Sequence, residues 1–551
     1  MKVCDAVARA VALECPGAPV FSLIGDANLP IVGALDRHTN LPQTFARDEG
    51  AAVAMADGYA QAAGRLGIAT VTSGPGLTHA ATSLLGASRI HTPIVVVAGD
   101  TPMRRPSGIQ EMQSFDQRRF VEACESHFHG LRSPLSLAED IASAFYRARM
   151  ERRPVVLSVP LDLQNADVAE NWSYEPSITE RERLPLEPGA AALAKVAHIV
   201  KGAQRPVILA GRGALWSGAR DDLQRLGEQI GALMGTTLLA RGLFDADPWN
   251  IGVIGGFSNS AAMDLIRNAD VVVAFGAELG HFTTQAGSLL SGRQVVRVDV
   301  APFARTMPFV DLFDLQADAR AAAAALCLAV RGESRAGFRT GETRARLAAP
   351  PSVGGPAIKG DRIDPRRLMG DLGPALAEDT QVVVGGGHFW SFPCMFLKQP
   401  ARGSFFCPLG AAAVGQALPF GIGVAMGSSP RPVIVIEGDG SLLMNIQELD
   451  TATRQRLPIV LVIMNDGALT AEALKLKAQG YDENLAVYPT PDFAAVARGF
   501  GWKAVTIDGR DDVGAILARH EWREGPLLID ARISREVVID PVSVRDLSPR
   551  P

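Results

Sequence analysis

Two carboxylates stand out for what they could do together. Asp439 lies in Glu437-Gly438-Asp439-Gly440-Ser441, directly after the apolar run Pro432–Ile436, and Asp466 lies in Asn465-Asp466-Gly467, after the apolar run Pro458–Met464. A glycine turn at the carboxyl end of a strand is where doubly wound sheets take their ligands. Glycines let backbone N–H groups approach phosphate oxygens, and a helix expected from about Asn445 would aim its positive end at the same place. Mg²⁺ prefers oxygen ligands in octahedral geometry and commonly bridges one or two carboxylates to phosphates. Asp439 and Asp466 at adjacent strand ends would be such a pair. Taken alone, Gly-Asp-Gly reads equally well as an Asp-Gly turn.

Other residues of suitable chemistry lie far away in the chain. Glu49 opens a helical stretch, Asp48–Gly64; on its own it is an acidic helix start that suits the dipole. Gly74-Pro75-Gly76 follows the run Gly67–Thr72, with His79 three positions on, and Gly386-Gly387-His388 follows Gln381–Val384. Gln110 and Gln113 lie in Gly108–Arg119. Residues 469–481, with Leu469, Thr470 and Glu472, read as a helix beyond the second carboxylate turn. His127 and His129 read more readily as surface or packing residues.

The surrounding chain indicates what positions these groups. At 551 residues it exceeds what one core serves, so two to four domains are expected. Short β-branched runs alternate with Ala/Gly-rich helical stretches, the pattern of parallel sheets covered by helices. The fold class expected is α/β, with three doubly wound parallel-sheet domains at 1–168, 188–332 and 362–538. A polar acidic stretch after about 165 and a Gly/Pro/Arg-rich stretch at about 332–362 read as linkers. The first and third units end alike, in RRPVVLSVPLD and REGPLLIDARI, which suggests related sheets flanking a middle one.

Composition narrows the partners. A net charge of −5 with only five Tyr and six Trp gives no basic or stacking surface for nucleic acid. The apolar runs are of strand length, so no membrane span is expected. The six Cys are scattered without a C-x-x-C pair, which suits free thiols in a reducing compartment. The N-terminus, with Asp5 and Glu14 in its apolar stretch, reads as an amphipathic helix. A cytoplasmic location is the expectation.

Together, the spaced motifs resemble those of thiamine-diphosphate enzymes, in the branch containing acetolactate synthases, benzaldehyde lyase and oxalyl-CoA decarboxylases. In that branch a metal-binding Asn lies about 27 positions after the Gly-Asp-Gly aspartate; here that position is Asp466, with Asn465 matching the Asn before it. The chain thus departs from the family in carrying Asp/Asp. Glu49 fits the family's E-x-x-A-x-x-x-A-x-G-Y-A pattern with Ala52, Ala56, Gly58, Tyr59 and Ala60. Gly74-Pro75-Gly76 resembles its S-G-P-G loop, and Gly387-His388 its diphosphate-side motif. The bulky residue that supports the bent cofactor falls on Val414, smaller than the usual Met, in a stretch resembling G-x-x-x-M-G-x-x-L-P.

The resemblance implies roles. Gly438, Asp439, Gly440, Ser441 and Leu469 would line the diphosphate side, with Mg²⁺ held by Asp439, Asp466 and the Ala468 carbonyl. The Ala412 carbonyl would face the pyrimidine amino group, with Gly74 nearby. Glu49 would bond the pyrimidine nitrogen and favour the tautomer that deprotonates the thiazolium carbon. His79, Glu472 and either Gln110 or Gln113 are the other candidates for catalysis. The implied units are pyrimidine-binding, central and diphosphate-binding, and a small-molecule substrate is expected. The chain is expected to be a decarboxylase or carboligase acting on a 2-oxo acid; the alternatives are an acyl-CoA lyase or decarboxylase, or a non-catalytic paralogue. The central unit binds FAD in acetolactate synthases and ADP in oxalyl-CoA decarboxylases. Here Gly211-Arg212-Gly213 is a weak glycine signal and GAELGHF (276–282) replaces the acetolactate-synthase stretch, so the nucleotide is left open. Because Glu49 and its cofactor meet across subunits in this family, a homodimer is the minimum and a homotetramer is expected.

Overall fold

The structure is a computed structural model that describes residues 1–103, 111–177, 184–302, 307, 310–332, 335–348, 360–398, 400, 403–521 and 525–539. Among them, three six-stranded, all-parallel sheets follow one another along the chain. The first holds β1 (Val20–Ser22), β2 (Gln43–Phe45), β3 (Gly67–Val71), β4 (Ile94–Asp100), β5 (His127–Gly130) and β6 (Val155–Pro160), in the order β2-β1-β3-β4-β6-β5. The second holds β7 (Pro206–Ala210), β8 (Leu233–Thr236), β9 (Asn250–Val253), β10 (Val271–Phe275), β11 (Gln294–Asp299) and β12 (Asp311–Gln316), in the order β12-β11-β10-β7-β8-β9. The third holds β13 (Gln381–Val384), β14 (Phe405–Phe406), β15 (Val433–Gly438), β16 (Ile459–Asn465), β17 (Lys503–Ile507) and β18 (Leu527–Arg532), in the order β14-β13-β15-β16-β18-β17.

The first and third orders are the same connectivity, as their matching chain endings suggest. The middle order is that of a dinucleotide-type doubly wound sheet, with its reversal between β7 and β10. Central strands are buried on both faces and read as unbroken apolar runs, such as Ile459–Met464. The edge strands β2, β5, β9, β12, β14 and β17 are short or partly exposed and carry weaker patterns.

The first and third units share one core. It joins Phe21, Met55 and Val96 to Phe420, Val435 and Leu461. At its centre the helix Glu49–Ala63 lies against the helix Ala417–Ser428, each buried over most of its length. Glycines make the approach possible: a Cβ on Gly58 would sit 2.0 Å from the Phe420 carbonyl oxygen, and one on Gly423 would sit 1.9 Å from that of Met55. Arg47 N–H donates to Glu448 Oε1 (2.8 Å), and Ser83 Oγ donates to Gln416 Oε1 (2.9 Å), so the two units are also tied by polar contacts.

Two local expectations change. The helix expected from Asn445 is divided: a four-residue turn of helix, Asp439–Leu442, starts at the aspartate itself, and a second helix, Glu448–Arg454, follows. The stretch read as a linker at 332–362 contains the helix Gly341–Ala348, held by an Arg346–Asp264 ion pair at 3.6 Å. Its low apolar content hid it from periodicity. The acidic stretch after residue 165 also docks: Tyr174 and Ser177 hydrogen-bond the buried Glu14, which pairs with Arg149.

Candidate active site

β15 and β16 run in register, with Gly438 opposite Met464, so Asp439 and Asp466 leave adjacent strands at the same carboxyl edge. Both line one small cavity with Gly386, Gly387, His388, Val414, Gly438, Gly440, Ser441, Ala468, Leu469 and Glu472. Gly438 N-caps the helical turn that begins at Asp439. The glycines have steric reasons: a Cβ on Gly440 would lie 2.3 Å from the Tyr488 hydroxyl, and one on Gly438 would lie 2.8 Å from the Phe389 ring. Gly387 has φ of +138°, a backbone that disfavours any side chain.

Each aspartate is fixed by neighbours. Asp439 Oδ2 accepts from Gly467 N–H (3.0 Å). Asp466 Oδ1 accepts from Ala468 N–H (3.1 Å), while its Oδ2 accepts from the Thr470 hydroxyl (2.6 Å). Burial, and then the charge of Asp466, pushes Asp439 up to about 7, and burial likewise raises Asp466. His388, buried beside them, is pushed down to about 4 by burial, and its Nε2 has no hydrogen-bond partner.

Glu437 ties this turn to the loop carrying Val414. It is fully buried, accepts from Ser441 Oγ (2.8 Å), and accepts from the N–H groups of Ala417 (3.3 Å) and Leu418 (3.2 Å) at a helix start. Ser441 Oγ also accepts from Gly415 N–H (2.7 Å), and Asn445 Nδ2 donates to the Gly415 carbonyl (2.7 Å). Burial raises Glu437 to about 7. Ala412, in the same loop, holds a left-handed φ of +53°, uncommon for a residue with a Cβ, which fixes where its carbonyl points.

Glu49 is not part of that cavity, whose lining comes wholly from the third unit. It starts its helix with a mostly buried side chain, 13% exposed, and stands with Asp48 and His79 in a cluster whose carboxylate and imidazole atoms lie within 4.8 Å of one another. Gly74 turns with φ of +58° against Gln113, whose Oε1 accepts from Ser73 Oγ (2.6 Å). Gln113 is thus seated beside the Gly74 loop, whereas Gln110 lies outside the described residues. His127 and His129 pair with Glu151 (2.5 Å) and Asp140 (3.2 Å), away from both groups.

A larger cavity of about 750 Å³ lies where the three units meet and touches the glycine turn at Gly386 and Gly387. Gly211 and Gly213 pack against the turn at Gly276. A Cβ on Gly211 would lie 2.2 Å from the Gly276 carbonyl oxygen and one on Gly213 2.7 Å from Gly276 Cα, so these glycines let two turns pack.

Family models of thiamine pyrophosphate enzymes match all three units: the N-terminal TPP binding domain over residues 1–120, the central domain over 193–326 and the C-terminal TPP binding domain over 385–531. The chain belongs to the thiamine pyrophosphate enzyme family. It is an enzyme of the acetolactate synthase branch that depends on thiamine diphosphate and forms or cleaves carbon–carbon bonds. It is 28% identical to a probable chloroplastic acetolactate synthase 2 of Oryza sativa subsp. japonica, over 96% of this chain and 83% of that one. It is 27% identical to a probable acetolactate synthase large subunit of Methanocaldococcus jannaschii, over 100% and 94%. It is 29% identical to a probable 2-ketoarginine decarboxylase of Pseudomonas aeruginosa, over 92% and 90%. Among the described residues, no helix of this thiamine pyrophosphate enzyme is long and apolar enough to cross a membrane.

The residues present fit the cofactor. The glycine turns leave backbone open to a diphosphate, the adjacent buried carboxylates Asp439 and Asp466 suit a cation, and the buried His388 Nε2 has no hydrogen-bond partner in the chain. Sequence reasoning gave no role to Glu437 or Tyr488, and named Thr470 only as a candidate for substrate contact, with Leu469 and Glu472, and not as a partner of Asp466. Glu437 was visible as the acidic residue ending an apolar run, where a fully buried carboxylate needs several donors. Thr470 lies only four positions after Asp466, so its contact is local, whereas only the fold brings Tyr488 to Gly440.

Proposed function

We propose that the chain is a Mg²⁺- and thiamine-diphosphate-dependent decarboxylase or carboligase acting on a 2-oxo acid. The observation that supports it above others is the pair Asp439 and Asp466, side by side at one strand edge and facing one glycine-walled cavity. Asp439, Asp466 and the Ala468 carbonyl would hold Mg²⁺, and Gly387, His388, Gly438, Gly440, Ser441 and Leu469 would line the diphosphate side. Val414 would support the bent cofactor, and the Ala412 carbonyl would receive the pyrimidine amino group.

Thiamine diphosphate, when bound, supplies the carbon nucleophile and the electron sink for the substrate's carbanion. The chain's own part is proton placement and positioning. Glu49 carries the proton shared with the pyrimidine nitrogen. Because the Asp439 cavity has no wall from the first unit, Glu49 of a second copy would complete it, which makes a homodimer the working unit. Glu472, beside the cavity at the start of the helix Thr470–Ala478, is placed to return a proton to the product. It pairs with Lys475 at 3.1 Å. Gln113 is the glutamine offered to substrate.

The test has two arms. Glu49→Gln is expected to retain cofactor and lose nearly all proton exchange at the thiazolium carbon; normal exchange overturns the role. A panel of 2-oxo acids and 2-hydroxyacyl-CoAs, scored by mass spectrometry for carbon dioxide, aldehyde and ligated products, is expected to respond to 2-oxo acids. Turnover of the CoA esters alone overturns the substrate class.

A further inference from the structure

We propose that Tyr488 is a positioning residue for Asp439: its hydroxyl, seated against Gly440, donates to that carboxylate in the loaded site and holds it turned toward the cation. The inference rests on the assignment of Asp439 as a Mg²⁺ ligand above and adds a partner behind it.

The backbone delivers this side chain to the turn. Residues 486–488 run antiparallel to 467–469, the stretch that follows Asp466. Leu469 N–H donates to the Ala486 carbonyl (2.9 Å), Ala468 and Val487 form an antiparallel bridge, and Tyr488 N–H donates to the Gly467 carbonyl (3.0 Å). Gly467 gives its own N–H to Asp439 Oδ2 (3.0 Å), so this strap and the aspartate are joined through one residue. Pro489 follows Tyr488 and disfavours helical backbone there, which suits the extended strap. The tyrosine hydroxyl then reaches Gly440, the residue after Asp439. A Cβ on Gly440 would overlap that hydroxyl and lie 3.1 Å from Leu469 Cδ2, so glycine leaves the room that the tyrosine fills.

The hydroxyl is buried from solvent and has no hydrogen-bond partner in the chain. A buried hydroxyl left unpaired costs stability, and phenylalanine would fill nearly the same space without that cost. The carboxylates that face it are Asp439 and Asp466: burial, and then the charges of these two groups, raise its pKa, so it stands as a proton donor. Asp466 already receives a side-chain hydroxyl, that of Thr470 (2.6 Å), while Asp439 receives the main-chain N–H of Gly467. Asp439 is therefore the carboxylate with a place for a phenol donor. A hydrogen bond to a charged group is among the stronger kinds, and a second donor on Asp439 fixes how its carboxylate is turned. Groups that orient a metal ligand from behind act in this way. The hydroxyl keeps its proton throughout.

The experiment compares Tyr488→Phe, Asp439→Asn and the double variant with wild type, each as the full chain. Mg²⁺ is titrated at saturating thiamine diphosphate, with cofactor binding followed by calorimetry. The melting temperature of the cofactor-free chain is measured on the same samples. Asn keeps one ligating oxygen at 439, so binding stays measurable at high Mg²⁺. Tyr488→Phe is expected to raise the Mg²⁺ concentration for half-saturation roughly ten- to hundredfold, the range for groups that orient metal ligands. Its cofactor-free melting temperature is expected to match or exceed wild type, because an unpaired buried hydroxyl is gone. In the Asp439→Asn background the same substitution should add little, since residues that act as a pair are not additive. An unchanged Mg²⁺ requirement in Tyr488→Phe overturns the proposal, as does full additivity in the double variant. A lower cofactor-free melting temperature also overturns it, by making the tyrosine a packing residue. Asp439→Asn separates the two readings: if it binds Mg²⁺ and cofactor as wild type does, the ligand assignment falls; if it weakens binding while Tyr488→Phe matches wild type, only the role of Tyr488 falls.

Discussion

Glu437 and Ser441 share a 2.8 Å hydrogen bond inside the turn that carries Asp439, and the same carboxylate accepts two backbone N–H groups from the start of the helix Ala417–Ser428 of the same unit. The Asp439 turn and the Val414 loop are therefore set by one buried acid. All of its contacts come from donors, so a group that accepts on both oxygens is required. Glu437→Gln turns an N–H₂ toward at least one donor, leaving it unsatisfied at a cost of about 1–3 kcal/mol. The expected result is a melting temperature lower by a few degrees and weaker cofactor retention, read by calorimetry on the same sample.

Thr470 donates to Asp466 Oδ2 at 2.6 Å and so orients a proposed metal ligand from behind. Groups of this kind cost roughly 10–100-fold in metal affinity when removed. Thr470→Val is therefore expected to raise the Mg²⁺ concentration needed for cofactor retention by about that factor, while excess Mg²⁺ restores activity. Unchanged Mg²⁺ dependence would count against Asp466 as a ligand.

The sequence made the fold and the two ends of the site legible for different reasons. Ile459–Met464 is buried on both faces, so its apolar run needs no periodicity to be read as a strand. The glycine turns at Gly438 and Gly387 stand out because close approach allows no other residue. Lys503–Ile507 escaped because an edge strand with exposed and half-buried positions lacks that run. Tyr488 and the approach of His79 to Glu49 escaped because they depend on which loops the fold brings together. The change from Asn to Asp at 466 was visible as a letter, but its consequence, a second buried carboxylate raised by burial, needed the cavity.

Glu448 gives a stability prediction with a defined sign. Its Oε1 accepts from Arg47 N–H and its Oε2 from the Thr451 hydroxyl (2.7 Å), joining the first and third units, and burial pushes it up to about 7 from 4.5. The folded chain keeps this proton where the unfolded chain has released it, so stability falls as pH rises from about 4.5 to 7 and is level beyond. Glu448→Gln accepts from Arg47 without titrating. Relative to wild type it should gain on the order of 2 kcal/mol between pH 5 and 8, seen as a smaller drop in melting temperature over that range.

The contact between the helices Glu49–Ala63 and Ala417–Ser428 links Glu49, at the start of one, to the loop of Ala412 and Val414, which leads into the other. The added Cβ of Gly58→Ala would meet the Phe420 carbonyl oxygen at 2.0 Å, and the nearest atoms are all backbone, so no rotamer change relieves it. The two helices must separate, which opens the shared core and shifts both ends of the site. Overpacking of this kind costs about 3 kcal/mol, and the variant should melt several degrees lower and bind cofactor more weakly. Gly202→Ala serves as the control, because its Cβ would meet nothing within 4 Å, and it should match or slightly exceed wild type in melting temperature. Equal behaviour of the two variants would mean that the close helix contact does not set the position of Glu49.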